Sequence, residues 1–176
     1  MLDQIITILQ KQYAPVEVYG SEERLRFVTV DKEKALDAVK YMKENAGYQH
    51  LVLLTAVDYI EQGKFQLTYL LHNPTDKTDI GVRVMIDREN ATMKSAHELW
   101  PTIATYQREL REMFGIQFPC SPGVNDDFIL EGWSNTPPYR RDFDTKVFAE
   151  SFYPQREGRV THDPAIYMKE KLYPNE

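Results

Sequence analysis

Residues 51–87 read LVLLTAVDYIEQGKFQLTYLLHNPTDKTDIGVRVMID, and they contain three successive stretches rich in β-branched, aromatic and other apolar residues. Gly63 separates the first two stretches, and an Asn-Pro-Thr-Asp sequence at 73–76 separates the last two. These residue types are typical of turns, and short connections favour antiparallel pairing of consecutive strands. The three predicted strands are 51–59, 65–71 and 81–87.

The first of these strands, 51–59, is apolar at nearly every position. A strand covered on both faces has this pattern, whereas a strand with one face in water alternates between apolar and polar residues. We therefore expect this strand to lie in the centre of the sheet.

Three helices are predicted around the strands. The first ends before Pro15, the second lies between an N-cap at Asp31 and Gly47, and the third starts with Pro101 in its first turn and ends at Gly115. Two further short strands are predicted at 16–20 and 24–30. The pattern indicates an α+β fold with a small antiparallel or mixed β-sheet and helices packed on it.

The chain divides by composition into a compact α+β domain at 1–118 and an extended C-terminal segment at 119–176. The segment holds most of the prolines, which break helices and sheets, and it is also rich in aromatic residues. The prolines are Pro119, Pro122, Pro137, Pro138, Pro154, Pro164 and Pro174. The aromatic residues are Phe128, Trp133, Tyr139, Phe143, Phe148, Phe152, Tyr153, Tyr167 and Tyr173.

So many rings must be covered by something, since each buries about 150–250 Å² in a folded protein. Either the segment wraps around its own domain, or it lies across a partner polypeptide, which we regard as the better interpretation. A helix at 165–172 is the only regular element that we predict after Gly115.

The composition excludes several classes of protein. A net charge of −6 argues against binding to nucleic acid or to an anionic membrane surface. The single cysteine, Cys120, excludes an internal disulfide and is expected to be a structural thiol. No apolar run approaches the ~20 residues of a membrane span, and a start with Asp3 and Gln4 is unlike a signal peptide.

Residues for catalysis or cofactor binding are sparse. The four histidines are dispersed, and there is no Cys-x-x-Cys pair or glycine-rich nucleotide loop. We therefore expect no metal site, no bound cofactor and no catalytic residue. A minor alternative is acid–base chemistry by His162 and Asp163 beside Glu157.

The third helix and the segment carry opposite charges that are suited to pairing. Glu109 and Glu112 lie on the helix, and Arg140 and Arg141 follow two prolines in the segment. Because guanidinium groups pair well with carboxylates, we predict an ion pair between these two sets that folds the segment back along the helix.

Three motifs in this region resemble those of a known family. Residues 107–118, QRELREMFGIQF, are similar to the pattern E-R-E-x-x-(D/E)-φ-φ-G-I-x-F of the 30-kDa subunit of respiratory complex I, which also occurs in membrane-bound nickel–iron hydrogenases. Downstream, 128–133 and 138–143 resemble the L-L-x-x-x-W and P-L-R-K-D-F segments of that family. Gln107 and the 121–125 sequence depart from its pattern, and in this the chain is more similar to the hydrogenase-type branch.

The resemblance implies a non-catalytic structural subunit without cofactors, in the peripheral arm of a membrane-bound, ion-translocating electron-transfer complex. Its implied partners are a large nickel–iron-hydrogenase-like (49-kDa-like) subunit and a small iron–sulfur subunit. It implies a position on the cytoplasmic side of the membrane, with membrane association only through the complex. The residues implied at the helix junction or the subunit interface are Arg108, Glu109, Glu112, Gly115, Phe118, Trp133, Arg140, Arg141, Asp142 and Phe143. The alternative is a freestanding ligand-binding or regulatory α+β module whose C-terminal segment acts as a lid.

Overall fold

The computed structural model describes residues 2–13, 17–20, 24–152, 168, 171 and 172. The chain forms two compact units, Met1–Phe143 and Asp144–Glu176. The helices are α1 (Leu2–Tyr13), α2 (Lys32–Asn45), α3 (Ile103–Phe114) and α4 (Thr145–Phe152). The strands are β1 (Glu17–Tyr19), β2 (Leu25–Val30), β3 (His50–Tyr59), β4 (Lys64–Asn73) and β5 (Thr78–Asp87).

The five strands form one mixed sheet in the order β1-β2-β5-β4-β3. Strands that follow each other through short connections pair antiparallel, as in β3–β4 and β4–β5. The pair β2–β5 is parallel, because the chain between them passes through α2, β3 and β4 before it returns. The predicted α+β class and the mixed sheet are confirmed.

One face of the sheet is covered by α1, α2 and α3, and the core lies between these two layers. Cross-strand neighbours such as Leu67 and Val84 point to this face, and both are fully buried. The helices contribute their apolar stripes to the same core, with Leu9 and Val39 fully buried. The fold is therefore a two-layer arrangement in which one face of the sheet is packed.

The prediction for the strand at 51–59 is wrong. In the structure β3 stands at the end of the strand order, and its residues alternate between buried and more exposed positions. Leu54 is 2% exposed, whereas Val57 is 45% exposed. The apolar run reflects β propensity as well as burial, so it did not require a central place in the sheet.

Helix α3 ends at the predicted glycine but begins at Ile103, so Pro101 lies before the helix and not in its first turn as predicted. A turn over Ala96–Trp100 precedes Pro101, and α3 ends at Gly115, which has a φ of 79°. Two side chains of this region form hydrogen bonds with the backbone around the start of β3. The Trp100 Nε1–H donates to the Gln49 carbonyl at 2.7 Å. The Tyr106 hydroxyl donates to the Val52 carbonyl at 3.1 Å.

The second compact unit contains α4, which was not predicted from the sequence, since the only predicted helix after Gly115 was at 165–172. The Asp144 side chain starts α4 by accepting the N–H groups of Lys146 and Val147, both at 3.0 Å. The predicted helix at 165–172 lies outside the described residues except for 168, 171 and 172, which are helical.

None of the helices in the described ranges is long and apolar enough to cross a membrane.

Candidate functional site

The chain reverses direction at Gly115, where α3 passes into the C-terminal segment. The Gly115 N–H bonds back to the carbonyls of Arg111 and Leu110, which closes the last turn of the helix. A Cβ on this residue would lie 2.9 Å from Arg140 Nη2 and 3.4 Å from Pro137 Cγ. Glycine is therefore required at this position for two reasons: the backbone is left-handed, and the segment approaches too closely for a side chain.

Glu112 fixes the first part of the returning segment. Its carboxylate accepts the backbone N–H groups of Phe128, Ile129 and Leu130 at 2.6, 2.8 and 2.9 Å. Burial alone would raise the pKa of Glu112, but the three donors outweigh burial and the pKa lies below its usual value of 4.5. A single ionised side chain thus satisfies three consecutive backbone groups that have no strand partner.

Arg140 fixes the second part of the segment at the end of α3. Its Nε donates to the Phe114 carbonyl at 2.6 Å, and its guanidinium carbon lies 5.3 Å from the centre of the Phe65 ring. The neighbouring Tyr139 donates its N–H to the Met113 carbonyl at 3.0 Å. A cation and an N–H donor thereby occupy the carbonyl end of the helix, which favours positive charge.

The next two residues of the segment, Arg141 and Asp142, bind to a buried ion pair between Arg88 and Asp58. Arg88 Nε and Nη2 lie 2.9 and 3.1 Å from the two oxygens of Asp58, whose side chain is 1% exposed. The Arg141 N–H donates to Asp58 Oδ2 at 2.9 Å, and Arg88 Nη2 also reaches Asp142 Oδ1 at 2.7 Å. Arg88 bonds with both carboxylates, and these bonds raise its pKa and lower that of Asp142.

The Arg141 side chain points to a different partner, Glu61 in the turn between β3 and β4. Its Nη1 lies 2.6 and 2.8 Å from the two Glu61 oxygens. Both side chains are more than half exposed, at 54% and 64%. Backbone hydrogen bonds and the bond with Arg141 lower the pKa of Glu61.

The predicted ion pairs between the glutamates of α3 and the arginines of the segment are wrong. Glu112 binds backbone N–H groups, Arg140 binds a helix carbonyl, and Arg141 binds Asp58 and Glu61. The segment nevertheless folds back along α3, because the carbonyl end of a helix and exposed N–H groups are strong partners in their own right.

We call the contacts described above, between α3, the ends of the strands and the C-terminal segment, the junction; they are made by Asp58, Arg88, Glu112, Gly115, Arg140 and Arg141. The remaining predicted site residues lie around it. Arg108 lies over the Phe128 ring at 5.4 Å, and its Nε is buried without an acceptor among the described residues. Phe118 is 1% exposed and belongs to the core, and the rings of Trp133 and Phe143 meet at 5.6 Å. Glu109 is half-buried on α3.

Asp58 and Arg88 hold the segment in place but were not among the residues predicted from the sequence. The available signal was Asp58 itself, a carboxylate at a core-facing position of an apolar strand, which is rare unless the charge is paired. Arg88 directly follows β5, but nothing in the sequence pointed to its pairing with the segment.

No group of three or more histidine, cysteine, aspartate or glutamate side chains within the described ranges could hold a metal ion. His162, Asp163 and Glu157, the minor acid–base alternative, lie outside those ranges. The absence of a cofactor and of catalytic residues remains a prediction. Cys120 is exposed, with a φ of 64°.

Comparison with known proteins identifies the family of the chain. The model of the family "Respiratory-chain NADH dehydrogenase, 30 Kd subunit" matches residues 28–149, from β2 into α4. The chain belongs to this family. The match includes every residue of the junction described above, so the resemblance inferred from the motifs is confirmed.

Among curated relatives, the C-type subunit of the NADH-quinone oxidoreductase of Moorella thermoacetica is 29% identical over 147 residues, covering 81% of this chain and 95% of the relative. The corresponding protein of Rhodobacter capsulatus is 31% identical, covering 81% and 72%. That of Novosphingobium aromaticivorans is 28% identical, and the match covers 78% of this chain but 44% of the relative. The chain thus spans about half the length of some members of the 30-kDa family and nearly all of others.

Two solved structures have a similar fold. A chain of the membrane-bound sulfane sulfur reductase, an archaeal respiratory membrane complex, has a TM-score of 0.81 and 25% identity, and covers 92% of this chain and 96% of its own length. A trypsin-resistant fragment of Nqo5 has a TM-score of 0.61 at 20% identity, covering 69% and 97%, and shares the fold.

Proposed function

We propose that this member of the 30-kDa family is a non-catalytic structural subunit of the peripheral arm of a membrane-bound, ion-translocating electron-transfer complex. Its partners would be a large nickel–iron-hydrogenase-like (49-kDa-like) subunit and a small iron–sulfur subunit. It would lie on the cytoplasmic side of the membrane and associate with the membrane only through the complex. The observation that carries the proposal is the family match over residues 28–149, which includes the junction.

The geometry of the junction supports a role in docking. The backbone of 128–142 is fixed by Glu112, Asp58 and the end of α3, yet apolar side chains in this segment remain exposed. Ile129 is 68% exposed and Tyr139 is 57% exposed. A rigid backbone that presents exposed rings and aliphatic groups is suited to bind another surface without a large loss of conformational entropy.

The predicted interface residues fit this interpretation to different degrees. Phe118 is buried in the core and Gly115 is required by the backbone, whereas Arg108 and Trp133 are half-buried and Arg141 is exposed. In the proposed complex the first two act through the shape of the junction, and the other three contact the partner directly.

The alternative, a ligand-binding module, has one observation in its favour. A cavity of about 530 Å³, in the size range of ligand pockets, lies between α2 and residues 92–98. Among the described residues of the C-terminal segment, Pro119 and Cys120 alone line it, so 121–143 does not act as its lid. We therefore favour the structural subunit.

The test is purification of the tagged chain from detergent-solubilised native membranes, with identification of the co-eluting chains by mass spectrometry. We expect a large hydrogenase-like chain and a small iron–sulfur chain in fixed stoichiometry with the tagged chain. Recovery of the chain alone, from the soluble fraction, would contradict the proposal and favour the freestanding module.

A further inference from the structure

The sheet has a second face, which none of the described helices of the first compact unit covers. We call it the open face. The side chains on it come from alternate positions of the five strands, and all except Gly81 are half-buried or exposed. The members that surround its centre are Phe27 of β2, Arg83 and Met85 of β5, and Gln66, Thr68 and Leu70 of β4.

Arg83 stands in the middle of the open face. Its guanidinium carbon lies 3.9 Å from the centre of the Phe27 ring and 5.6 Å from that of Tyr19. The Phe27 ring in turn lies over Gly81, where an added Cβ would come within 2.2 Å of Cδ1. The cation is thus held in place by stacking on aromatic rings.

The Nε–H of Arg83 is buried, and no acceptor for it is present among the described residues. The nearby carboxylates on this face have other partners: Glu17 accepts the Tyr19 hydroxyl, and Asp79 pairs with His72 at 2.9 Å. A buried donor without an acceptor is costly, so an acceptor from outside the open face would be bound favourably. A carboxylate is the natural group, since it pairs with a guanidinium fork.

The surroundings of Arg83 favour a polypeptide over a free anion. Phe27, Leu70 and Met85 are half-buried and apolar, so a bound group must cover apolar surface together with the cation. Five strands at about 4.8 Å spacing and six residues at about 3.3 Å rise give a face of about 500 Å². A stable interface buries about 800 Å² on each partner, so this face is too small to hold a second copy by itself.

From these observations we infer that the open face binds an acidic segment of another subunit of the complex, whose carboxylate pairs with Arg83 while its apolar side chains cover Phe27 and Leu70. This inference rests on the proposed function. It adds a contact surface on the opposite side of the sheet from the core and from α3.

The decisive variant is Thr68→Glu. Thr68 lies directly opposite Arg83 in the β4–β5 pairing, so the new carboxylate would supply the missing acceptor from within the chain. We expect the isolated chain to become more resistant to urea while the amount of co-purified large subunit falls about tenfold, because the pairing site is already filled. A residue with only a structural role would not move these two readouts in opposite directions.

The control is Gln10→Glu, which makes the same charge change on the exposed face of α1 and should alter neither readout. Arg83→Glu provides a second variant, which should also lower co-purification about tenfold. A photo-crosslinker at Gln66 should join a peptide of another subunit that holds aspartate or glutamate.

Three results would overturn the inference while leaving the proposed function intact. They are full co-purification of Thr68→Glu, full co-purification of a folded Arg83→Glu, and a crosslink to this same chain or to a second copy of it. Absence of partner subunits from the wild-type purification would overturn both the inference and the proposed function.

Discussion

Asp58 and Arg88 form a two-point ion pair in which Nε and Nη2 lie 2.9 and 3.1 Å from the two carboxylate oxygens. The pair joins the end of β3 to the residue after β5. The Asp58 carboxylate also accepts a hydrogen bond from the Arg141 backbone N–H. A strand carboxylate thus organises the docking of a segment that is more than eighty residues away in the chain.

Replacing Asp58 by asparagine should destabilise the chain by about 3 kcal/mol, because the largely buried Arg88 charge loses its buried partner and keeps only the half-exposed Asp142. Asp142→Asn is the matched control. The Asp142 side chain is 44% exposed and the Arg88 side chain would keep Asp58, so this loss should be about 1 kcal/mol or less. The free energy of unfolding from urea titration measures both. Equal losses would show that the buried pair does not organise the junction.

Glu112→Gln should destabilise the isolated chain by about 2 kcal/mol, because the amide offers one oxygen where the carboxylate offers two to three N–H donors. Glu109→Gln on the same helix, where no described N–H group of the segment donates to Glu109, should have little effect. Limited proteolysis should then cut the Glu112 variant faster near 126–133 than it cuts the wild-type chain.

The effect of Glu112 also predicts a dependence on pH. Its pKa in the folded chain lies below the usual 4.5, so its carboxylate stabilises the fold above pH 4.5. This contribution is lost as the pH falls through the lowered pKa. The difference in unfolding free energy between wild type and Glu112→Gln should therefore be constant at neutral pH and shrink below pH 4.5. A difference that does not change over this range would argue against the three N–H bonds.

Gly115→Ala should destabilise the chain by about 2 kcal/mol. Roughly half comes from the left-handed backbone and the rest from the bond between Arg140 and Phe114, which the new Cβ would displace. Gly63→Ala separates the two causes, because Gly63 has a φ of 63° but no atom within 4 Å of its added Cβ. It should cost about 1 kcal/mol. Equal losses in urea titrations would show that the contact between Gly115 and Arg140 contributes nothing.

The local elements were predictable because their signals are local. Gly115 ends α3 through its left-handed backbone, and Pro101 lies two residues before the helix starts. The alternation of β4 places Phe65 and Leu67 on the packed face. The position of β3 was not predictable in this way, since an apolar run fits a central or an outer strand equally well.

The sequence indicated which residues form the junction better than it indicated which groups those residues bind. The sequence indicated Glu112 and Arg140, but it suggested that they bind each other. Which backbone groups lie unpaired beside a side chain depends on the three-dimensional path of the segment, and the sequence carries no local mark of it. The pairing of Asp58 with Arg88 is of the same kind, because it is formed only when two distant strand ends meet.

Arg141→Ala distinguishes a role within the fold from a role at the proposed interface. The pair with Glu61 is exposed and screened by solvent, and the Arg141 N–H that binds Asp58 is kept in the variant, so thermal unfolding of the isolated chain should hardly change. The amount of large subunit that co-purifies with the variant should nevertheless fall severalfold, because a guanidinium group at an interface is a frequent binding determinant. Lys40→Ala, which removes an exposed cation from α2, should leave both measurements unchanged. If the Arg141 variant assembles as well as the Lys40 variant, Arg141 does not belong to the interface and serves only to hold the segment beside Glu61.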